Sequence, residues 1–342
     1  MKKLLETMYI MTLDSYLYQR NDNICVSIGG EEKASVPIFQ VDSVVIFGKN
    51  TMSTSLLGFC ASHDVTISFL NSFGRFEGRL CGPVSGNVLL RRQQYRAADS
   101  DEFSKRFVCD LICAKIQNSK QMIMRHARTA NDPISADSLT RTAAHLSEYA
   151  SQLQACDTLD SMRGVEGAAA ATYFSSMDDM LSAKHVFRFE RRSKRPPENE
   201  VNAVLSFLYT QLTHDYRSAM ESVGLDPAMG FMHTLRPGRP SFALDLMEEL
   251  RAPLCDRLTL TLFNRGQLTE KEFEYMDPAV YLNEKGRRLV LSQWRSRKQE
   301  EIQHPFLNEK IKIGLIPYVV QAMLFARVLR GDLDRYPPFL WR

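Results

Sequence analysis

The chain changes its pattern near residue 86, and this change constrains the fold more than any other feature. Before it, short stretches rich in β-branched and aromatic residues alternate with turn signals such as Gly29-Gly30, which predicts strands. After it, glycine is sparse and apolar residues recur at helical spacing, as at Phe103, Phe107 and Leu111, which predicts helices. A chain of 342 residues can fill more than one core. The sequence therefore predicts an α+β protein with two domains.

The predicted boundary follows Cys81-Gly82-Pro83, a linker-like tripeptide. It separates a small β-rich domain, residues 1–83, from a larger all-α domain, residues 84–342, which ends in a Pro- and aromatic-rich tail. The predicted strands are Met8–Leu13, Tyr16–Arg20, Ile24–Ile28, Ser35–Phe39, Ser43–Phe47, Thr66–Leu70 and Arg75–Leu80, with one helix at Ser53–Ser62. The predicted helices cover 87–97, 100–127, 136–153, 164–182, 199–223, 241–265, 284–301 and 307–330. No βαβ alternation and no internal repeat is expected.

Several classes of protein are disfavoured by simple counts. The seven cysteines are scattered without a CxxC pair, so neither a zinc site nor a disulfide framework is expected. No apolar run is long enough for a signal peptide or a membrane span, so we expect a cytoplasmic protein with no membrane partner. A net charge of +3 does not by itself indicate nucleic-acid binding, which depends on where the charges lie.

The first candidate for chemistry is Glu166, which is followed by four consecutive alanines, residues 168–171. Placed near the start of a helix that begins at about residue 164, its carboxylate would lie at the positive end of the helix dipole, which favours the ionised, metal-binding form. The alternative is a first-turn glutamate that serves only the dipole, beside a tightly packed alanine helix.

Two further candidates lie downstream of Glu166. His233 follows Phe231 and Met232 in a loop, and an imidazole there could bind a metal or transfer a proton; a histidine in a loop is also often without a role. Asp245 and Glu248 are three residues apart on an apolar helix and so project from one face. Such carboxylates need a compensating partner, for example a divalent cation, unless both are partly solvated.

Together, one imidazole and two or three carboxylates suit Mg²⁺ or, because of the nitrogen ligand, Mn²⁺. A cation of this kind supports phosphodiester chemistry, and basic segments surround the candidates, although charge runs are often only solvated faces. The candidate DNA-binding residues are Arg163, Arg191, Arg192, Arg236, Arg239 and Arg288.

Four motifs, in this order, resemble the CRISPR-associated adaptation integrases, most closely the form found with subtype I-C systems. They are Arg163-Gly164-Val165-Glu166-Gly167-Ala168-Ala169, Pro197 through Asn202 to Tyr209, Gly224-Leu225-Asp226-Pro227 leading to His233, and Gly238 to Arg251. The resemblance extends over nearly the whole chain.

The resemblance implies roles for individual residues. The family's metal-binding glutamate, histidine and downstream acid match Glu166, His233 and Glu248. Asp245 matches a further acid of the active site, either a direct ligand or a support, and Asn202 matches a supporting asparagine. The implied catalytic set is therefore Glu166, His233, Asp245 and Glu248, acting with Mg²⁺ or Mn²⁺.

The resemblance also implies a fold, a reaction and partners. The N-terminal domain is expected to be sandwich-like and to form a homodimer, and the helical domain to be catalytic. The reaction is transesterification, in which the 3′-hydroxyl of a captured double-stranded DNA fragment attacks a phosphodiester at the edge of a repeat. Expected partners are a small ferredoxin-like adaptation subunit and an assisting iron–sulfur nuclease. The chain has no GxxxxGK[ST] motif, as expected for a reaction that uses no nucleoside triphosphate.

Two other functions stay open from the sequence. With the same site and water as nucleophile, the protein would be a metal-dependent nuclease that hydrolyses branched or single-stranded DNA. If the acids are only structural, it would be a non-catalytic DNA-binding scaffold whose basic patches bind DNA without metal.

Overall fold

The computed structural model describes residues 6–74, 76–82, 88–130, 132–181 and 187–341. Contacts within the chain divide it into two compact units, Met1–Gly86 and Asn87–Arg342. The boundary predicted from the sequence, between residues 83 and 84, lies outside the described residues.

The N-terminal unit contains two four-stranded sheets and one helix. Its strands are β1 (Glu6–Ile10), β2 (Tyr16–Arg20), β3 (Asn23–Ile28), β4 (Glu31–Pro37), β5 (Val41–Phe47), β6 (Thr51–Met52), β7 (Thr66–Leu70) and β8 (Phe76–Leu80), with α1 at Thr54–Ser62. The strand orders are β1-β5-β7-β8 in one sheet and β4-β3-β2-β6 in the other. Residues of both sheets and of α1 share one hydrophobic core, for example Val44, Leu17 and Leu56. The prediction of a β-rich N-terminal region is confirmed.

One expectation about this unit is wrong. β5 and β7 pair in parallel, with Ser43 opposite Thr66, and α1 lies between them in the chain. This is a parallel crossover of the kind that βαβ alternation produces. Ser53 caps α1, because its side chain accepts a hydrogen bond from the amide of Leu56.

The C-terminal unit is mainly helical, which confirms the second half of the predicted fold. Its helices are α2 (Val88–Ala98), α3 (Asp101–Ala127), α4 (Pro133–Leu153), α5 (Leu159–Ser175), α6 (Glu200–Val223), α7 (Ser241–Leu250), α8 (Arg257–Asn264), α9 (Glu284–Gln299) and α10 (Ala322–Arg330). α3 packs against α4, α5 and α7, and α7 also packs against α6. No helix in the described part of the chain is long and apolar enough to cross a membrane.

Residues Arg251–Asp256 form a π-helical turn between α7 and α8. Pro253 lies inside it, and proline has no amide hydrogen to donate to the preceding turn, so the backbone widens there. π-turns within α-helices are often found at functional sites. A second π-turn, Ile316–Gln321, contains Pro317 and precedes α10.

The helical unit departs from the prediction in several places. It is not all-α, because two antiparallel hairpins occur, β9 (Phe273–Met276) with β10 (Ala279–Leu282) and β11 (Glu301–Gln303) with β12 (Lys310–Lys312). The second hairpin takes the place of the first half of the predicted helix 307–330. The predicted helix 164–182 begins earlier, at Leu159, because Thr158 and Ser161 form a capping box.

Candidate active site

Lys115 of α3 joins two acidic residues that lie far apart in the sequence. Its ammonium contacts Glu166 Oε1 of α5 and lies 2.7 Å from Glu248 Oε2 of α7. The meeting follows from the packing, because α3 lies against both α5 and α7. The Lys115 side chain is 15% exposed, so these charges interact in a medium much less polar than water. The structure thus brings Glu166 and Glu248 to one positive group.

Glu248 is ionised although it is buried. Its side chain is 3% exposed, and Arg251 Nη1 lies 2.9 Å from Oε1. Burial alone would raise the pKa of the Glu248 carboxyl, but the charges of Arg251 and Lys115 outweigh burial and lower that pKa to about 2. The neighbouring His233 also lowers the pKa of Glu248, so His233 lies within electrostatic reach of that carboxyl.

Asp245 holds His233 in one orientation. His233 Nδ1 lies 2.6 Å from Asp245 Oδ1, and the His233 amide donates to the same oxygen at 2.9 Å. The amides of Phe231 and Met232 donate to Oδ2 at 2.6 and 3.0 Å. Asp245 is fully buried, and its two oxygens are occupied by these four contacts. It therefore positions the ring and leaves Nε2 as the nitrogen that can bind another group.

Three further residues hold the loop that carries His233 in its path. Arg163 of α5, one turn before Glu166, donates from Nε to the Met232 carbonyl at 2.6 Å. The buried side chain of Gln94 donates to the carbonyls of Asp226 and Met229, each at 2.9 Å. Gly230 is needed for close approach, because a Cβ there would lie 2.8 Å from Asp245 Oδ2 and from Ser241. The loop is thus attached to both α5 and α7.

The cavity beside Glu166 and Glu248 contains a second buried carboxylate. Asp256, at the end of the π-turn, accepts hydrogen bonds from Tyr173 Oη at 2.9 Å and Tyr209 Oη at 2.6 Å. Burial raises its pKa to about 6, and the two hydroxyls and nearby Arg251 only partly oppose this. The Arg251 guanidinium lies over the Tyr209 ring at 4.6 Å. Arg251 is therefore held on one side by Glu248 and on the other by an aromatic face.

The sequence of the whole chain is similar to those of known proteins. The family model described as CRISPR associated protein Cas1 matches residues 8–296. The CRISPR-associated endonuclease Cas1 2 of Rhodospirillum rubrum is 47% identical over all of this chain and all of its own length.

The chain belongs to the CRISPR associated protein Cas1 family.

Other curated relatives agree with this family. The CRISPR-associated endonuclease Cas1 1 of Chlorobaculum tepidum is 44% identical, with both chains fully covered. A CRISPR-associated exonuclease Cas4/endonuclease Cas1 fusion of Rhodospirillum rubrum is 31% identical over 97% of this chain, which corresponds to 57% of the fusion. These relatives confirm the predicted family and the predicted class of enzyme, a CRISPR-associated DNA endonuclease.

Solved structures show the same fold. A CAS1 protein from Thermotoga maritima superimposes with a TM-score of 0.82 at 24% identity, covering 96% of this chain and 97% of that one. A chain of a Cas6-RT-Cas1–Cas2 complex gives 0.84 at 19% identity, over 99% of this chain and 36% of that one. A casposase bound to integration product gives 0.82 at 18% identity, over 97% and 92%.

Membership of the Cas1 family implies a divalent cation, and the donor types of Glu166, Glu248 and His233 suit one. Glu166 and Glu248 come from separate helices and already converge on a positive group. Glu248 Oε2 is buried and, in the described part of the chain, accepts no hydrogen bond of good geometry. Oxygen and imidazole donors together suit Mg²⁺ or Mn²⁺. As the side chains stand, no three His, Cys, Asp or Glu residues within the described ranges form a group that could hold a metal; Lys115 lies between the two carboxylates.

The predicted position of Glu166 near the start of its helix is wrong. Glu166 does not lie in the first turn of its helix, since α5 begins at Leu159. The helix dipole acts mainly on the first turn, so it does not favour the ionised form there. The compensating charge is Lys115 instead.

Asn202, the predicted support residue, contacts Arg192, one of the predicted DNA-binding residues. Asn202, fully buried in α6, accepts from Arg192 Nη1 at 2.7 Å and donates to the Arg191 carbonyl at 2.8 Å. The Arg192 guanidinium also lies over the Tyr209 ring at 5.3 Å. Asn202 thus fixes the basic loop before α6, and Arg192 points towards the protein interior.

The other arginines differ in what they contact. Arg191 pairs with Glu198 at 2.9 Å and Arg288 with Glu284 at 2.7 Å, and all four side chains are exposed. Arg236 is exposed and Arg239 half-buried; neither side chain has an ion pair among the described residues. Arg163, as described above, is engaged with the His233 loop.

The sequence analysis did not single out Lys115, Arg251, Asp256 or Tyr209, which line the same cavity as Glu166 and Glu248. A signal existed for Lys115, since it lies four residues after Leu111 on the apolar stripe of α3. A cation on such a stripe needs an acidic partner. Pro253 inside a predicted helix was the corresponding signal for the π-turn that carries Arg251 and Asp256 to one cavity.

Proposed function

We propose that this protein is a divalent-metal-dependent DNA integrase that inserts captured foreign DNA fragments into a CRISPR array by transesterification. One observation carries the proposal. Glu166 and Glu248 meet at a single cation, and the His233 loop is tied to the helices that bear them, by Arg163 to α5 and by Asp245 to α7.

The proposed ligands are Glu166, His233 and Glu248, for Mg²⁺ or Mn²⁺. When bound, such an ion would neutralise a phosphate oxygen and lower the pKa of the attacking hydroxyl. Asp245 keeps the imidazole ring in place with Nδ1 towards itself. Arg251 and Lys115 keep Glu248 ionised, so a ligand oxygen carries its charge before any substrate arrives.

DNA approaches, in this proposal, over the exposed side of α5. A Cβ added at Gly164 or at Gly167 would meet nothing within 4 Å, and Ala168 is exposed. Exposed glycines inside a helix each cost about 1 kcal/mol relative to alanine. Their presence beside Glu166 is explained if a phosphate backbone must come close to the helix there.

The finer assignments of partners and location follow from the family resemblance. The proposed DNA substrates are a double-stranded captured fragment and the repeat target, with Arg191, Arg236, Arg239 and Arg288 as phosphate contacts. The proposed protein partners are a second copy of this chain through the β-rich unit, a small ferredoxin-like subunit and an iron–sulfur nuclease. The Cas1–Cas2 complex and the Cas4/Cas1 fusion support the last two. The reaction is proposed to take place in the cytoplasm.

The test uses the purified protein with its small subunit, Mn²⁺, a labelled duplex and a plasmid that carries a repeat. Joined labelled plasmid is expected with the parent, none in EDTA, and none with His233→Ala. His145→Ala is the matched control, because His145 is exposed on α4. Joining by His233→Ala at the parent rate would refute the site. Shortened duplex without joining would instead indicate the hydrolytic nuclease, and metal-independent DNA binding without products would indicate the scaffold.

A further inference from the structure

We propose that Lys115 is an internal cation that occupies the metal position in the resting site, and that it makes tight metal binding depend on DNA. The inference rests on the proposed function, since it takes Glu166 and Glu248 to be metal ligands. It assigns a role to Lys115 and makes metal binding depend on DNA, and neither follows from the three proposed ligands alone.

Lys115 and Arg251 balance the charges of the two proposed ligand carboxylates. Two carboxylates, Glu166 and Glu248, face two cations, Lys115 and Arg251, so these four groups together carry no net charge. A divalent cation added to these groups would leave two uncompensated positive charges. Buried charges without partners are strongly unfavourable. The protein alone is therefore expected to bind the metal weakly.

A metal ion bound between the two carboxylates would displace either Lys115 or Arg251. Arg251 has a planar guanidinium held by Glu248 and stacked on Tyr209 at 4.6 Å, and such a group keeps its place. Lys115 has a flexible four-carbon stem and a compact ammonium, and the carboxylates of Glu166 and Glu248 are the partners that hold it. A metal between those carboxylates therefore displaces Lys115 rather than Arg251.

The displaced Lys115 ammonium needs a new negatively charged partner. Lys115 lines the same cavity as Glu166, Glu248 and Arg251, and the adjoining α5 surface is open at Gly164 and Gly167. A DNA phosphate entering there supplies the missing negative charge and a new partner for the ammonium. Metal and DNA then raise each other's affinity by the same factor, as linkage requires.

The experiment measures the dissociation constant of Mn²⁺ by the electron paramagnetic resonance signal of the free ion, with and without a short duplex. Four proteins are compared: the parent, Lys115→Met, Glu166→Gln and the control Lys298→Met. Lys298 suits the comparison because its ammonium pairs with Asp215 at 2.9 Å and its side chain is 16% exposed, close to the 15% of Lys115. Circular dichroism and thermal unfolding check that each variant is folded.

Without DNA, Lys115→Met is expected to bind Mn²⁺ about tenfold more tightly than the parent, because a competing charge is gone. The duplex should tighten Mn²⁺ binding by about tenfold in the parent and in Lys298→Met, and much less in Lys115→Met.

Two results would overturn the inference alone. In both, Glu166→Gln weakens Mn²⁺ binding, so the proposed site stands. In the first, Lys115→Met binds no more tightly than the parent. In the second, the parent binds Mn²⁺ equally well with and without duplex, a result that does not depend on the folding of any variant. If no protein binds Mn²⁺ under either condition, the proposed function fails together with the inference.

Discussion

Asp245 Oδ1 lies 2.6 Å from His233 Nδ1, and the same buried carboxylate accepts hydrogen bonds from three consecutive backbone amides, residues 231–233. One side chain of α7 thus determines both the path of the loop and the orientation of its imidazole. Glu248, one helical turn later, projects towards Lys115 and Arg251. The i,i+3 pair recognised in the sequence therefore has divided roles, with Asp245 acting through the histidine and Glu248 acting as a ligand in the proposed site.

Asp245→Asn should weaken both fold and function. An amide group cannot accept all four hydrogen bonds, and each buried donor left unpaired costs about 1–3 kcal/mol. Loss of a residue that orients a ligand commonly lowers metal affinity or activity by about 10–100-fold. Urea unfolding and the strand-joining assay measure the two effects. Asp137→Asn, at an exposed pair with Arg141, should change neither. Parent-like joining by Asp245→Asn would show that the histidine needs no such support.

Gly230→Ala should destabilise the helical unit by about 1–3 kcal/mol, since its Cβ would lie 2.8 Å from Asp245 Oδ2 and from backbone of Ser241. Gly164→Ala is the control, because that position is open and lies inside α5. There, alanine should be neutral or stabilising by up to about 1 kcal/mol. Thermal unfolding of the two variants checks the contrast. Equal stabilities would show that the loop does not lie against α7 as described.

The buried carboxyl of Asp256 should make the free energy of unfolding of the protein depend on pH. Burial raises its pKa to about 6 in the folded protein, above the value of about 4 in an unfolded chain. The folded state therefore favours the protonated carboxyl, whose stabilising effect is complete below pH about 4 and is lost as the pH rises through about 6. The free energy of unfolding of the parent, measured relative to that of Asp256→Asn, should fall by about 3 kcal/mol over this interval. A difference that is constant or rises with pH would contradict the assignment.

Asn118 attaches the C-terminal tail to the helix that carries Glu248. Its amide donates to the carbonyls of Glu249 at 2.7 Å and Phe339 at 2.8 Å, and accepts from the Trp341 amide at 2.7 Å. Asn118→Ala removes all three contacts. Hydrogen exchange should accelerate markedly at the Trp341 amide, which loses its acceptor, and less at the Phe339 amide, which keeps Glu249 as its acceptor. Exchange in the N-terminal core strand β5 serves as the internal control. Unchanged exchange at both tail amides would show that other contacts hold the tail.

Patterns with a clear period made much of the fold predictable. The strands of the N-terminal unit and the longest helices follow local apolar spacing, so α3, α6 and α9 begin and end within two residues of the predicted limits, and β2 and β7 match theirs. The short hairpins β9–β10 and β11–β12 were missed because strands of three or four residues show too few alternations to be distinguished from a helix end. The start of α5 was misplaced because its signal lies in the Thr158–Ser161 cap rather than in its apolar residues.

The candidate site was predictable only as a set of residue types. Glu166, His233, Asp245 and Glu248 stood out because acids and a histidine interrupt apolar stretches. Which of them face one another depends on how α3, α5 and α7 pack, and contacts between distant segments leave no periodic trace. The contacts of Tyr336 and Phe339 with Glu249, at 2.8 and 2.7 Å, place the C-terminal tail on its own chain.

The most direct measurement is anomalous diffraction from crystals of the protein with a short duplex, soaked in Mn²⁺. We expect one Mn²⁺ peak at about 2.0–2.3 Å from carboxylate oxygens of Glu166 and Glu248 and from Nε2 of His233, with the Lys115 ammonium moved away. A Mn²⁺ peak elsewhere, or none while Lys115 still joins the two glutamates, would contradict it.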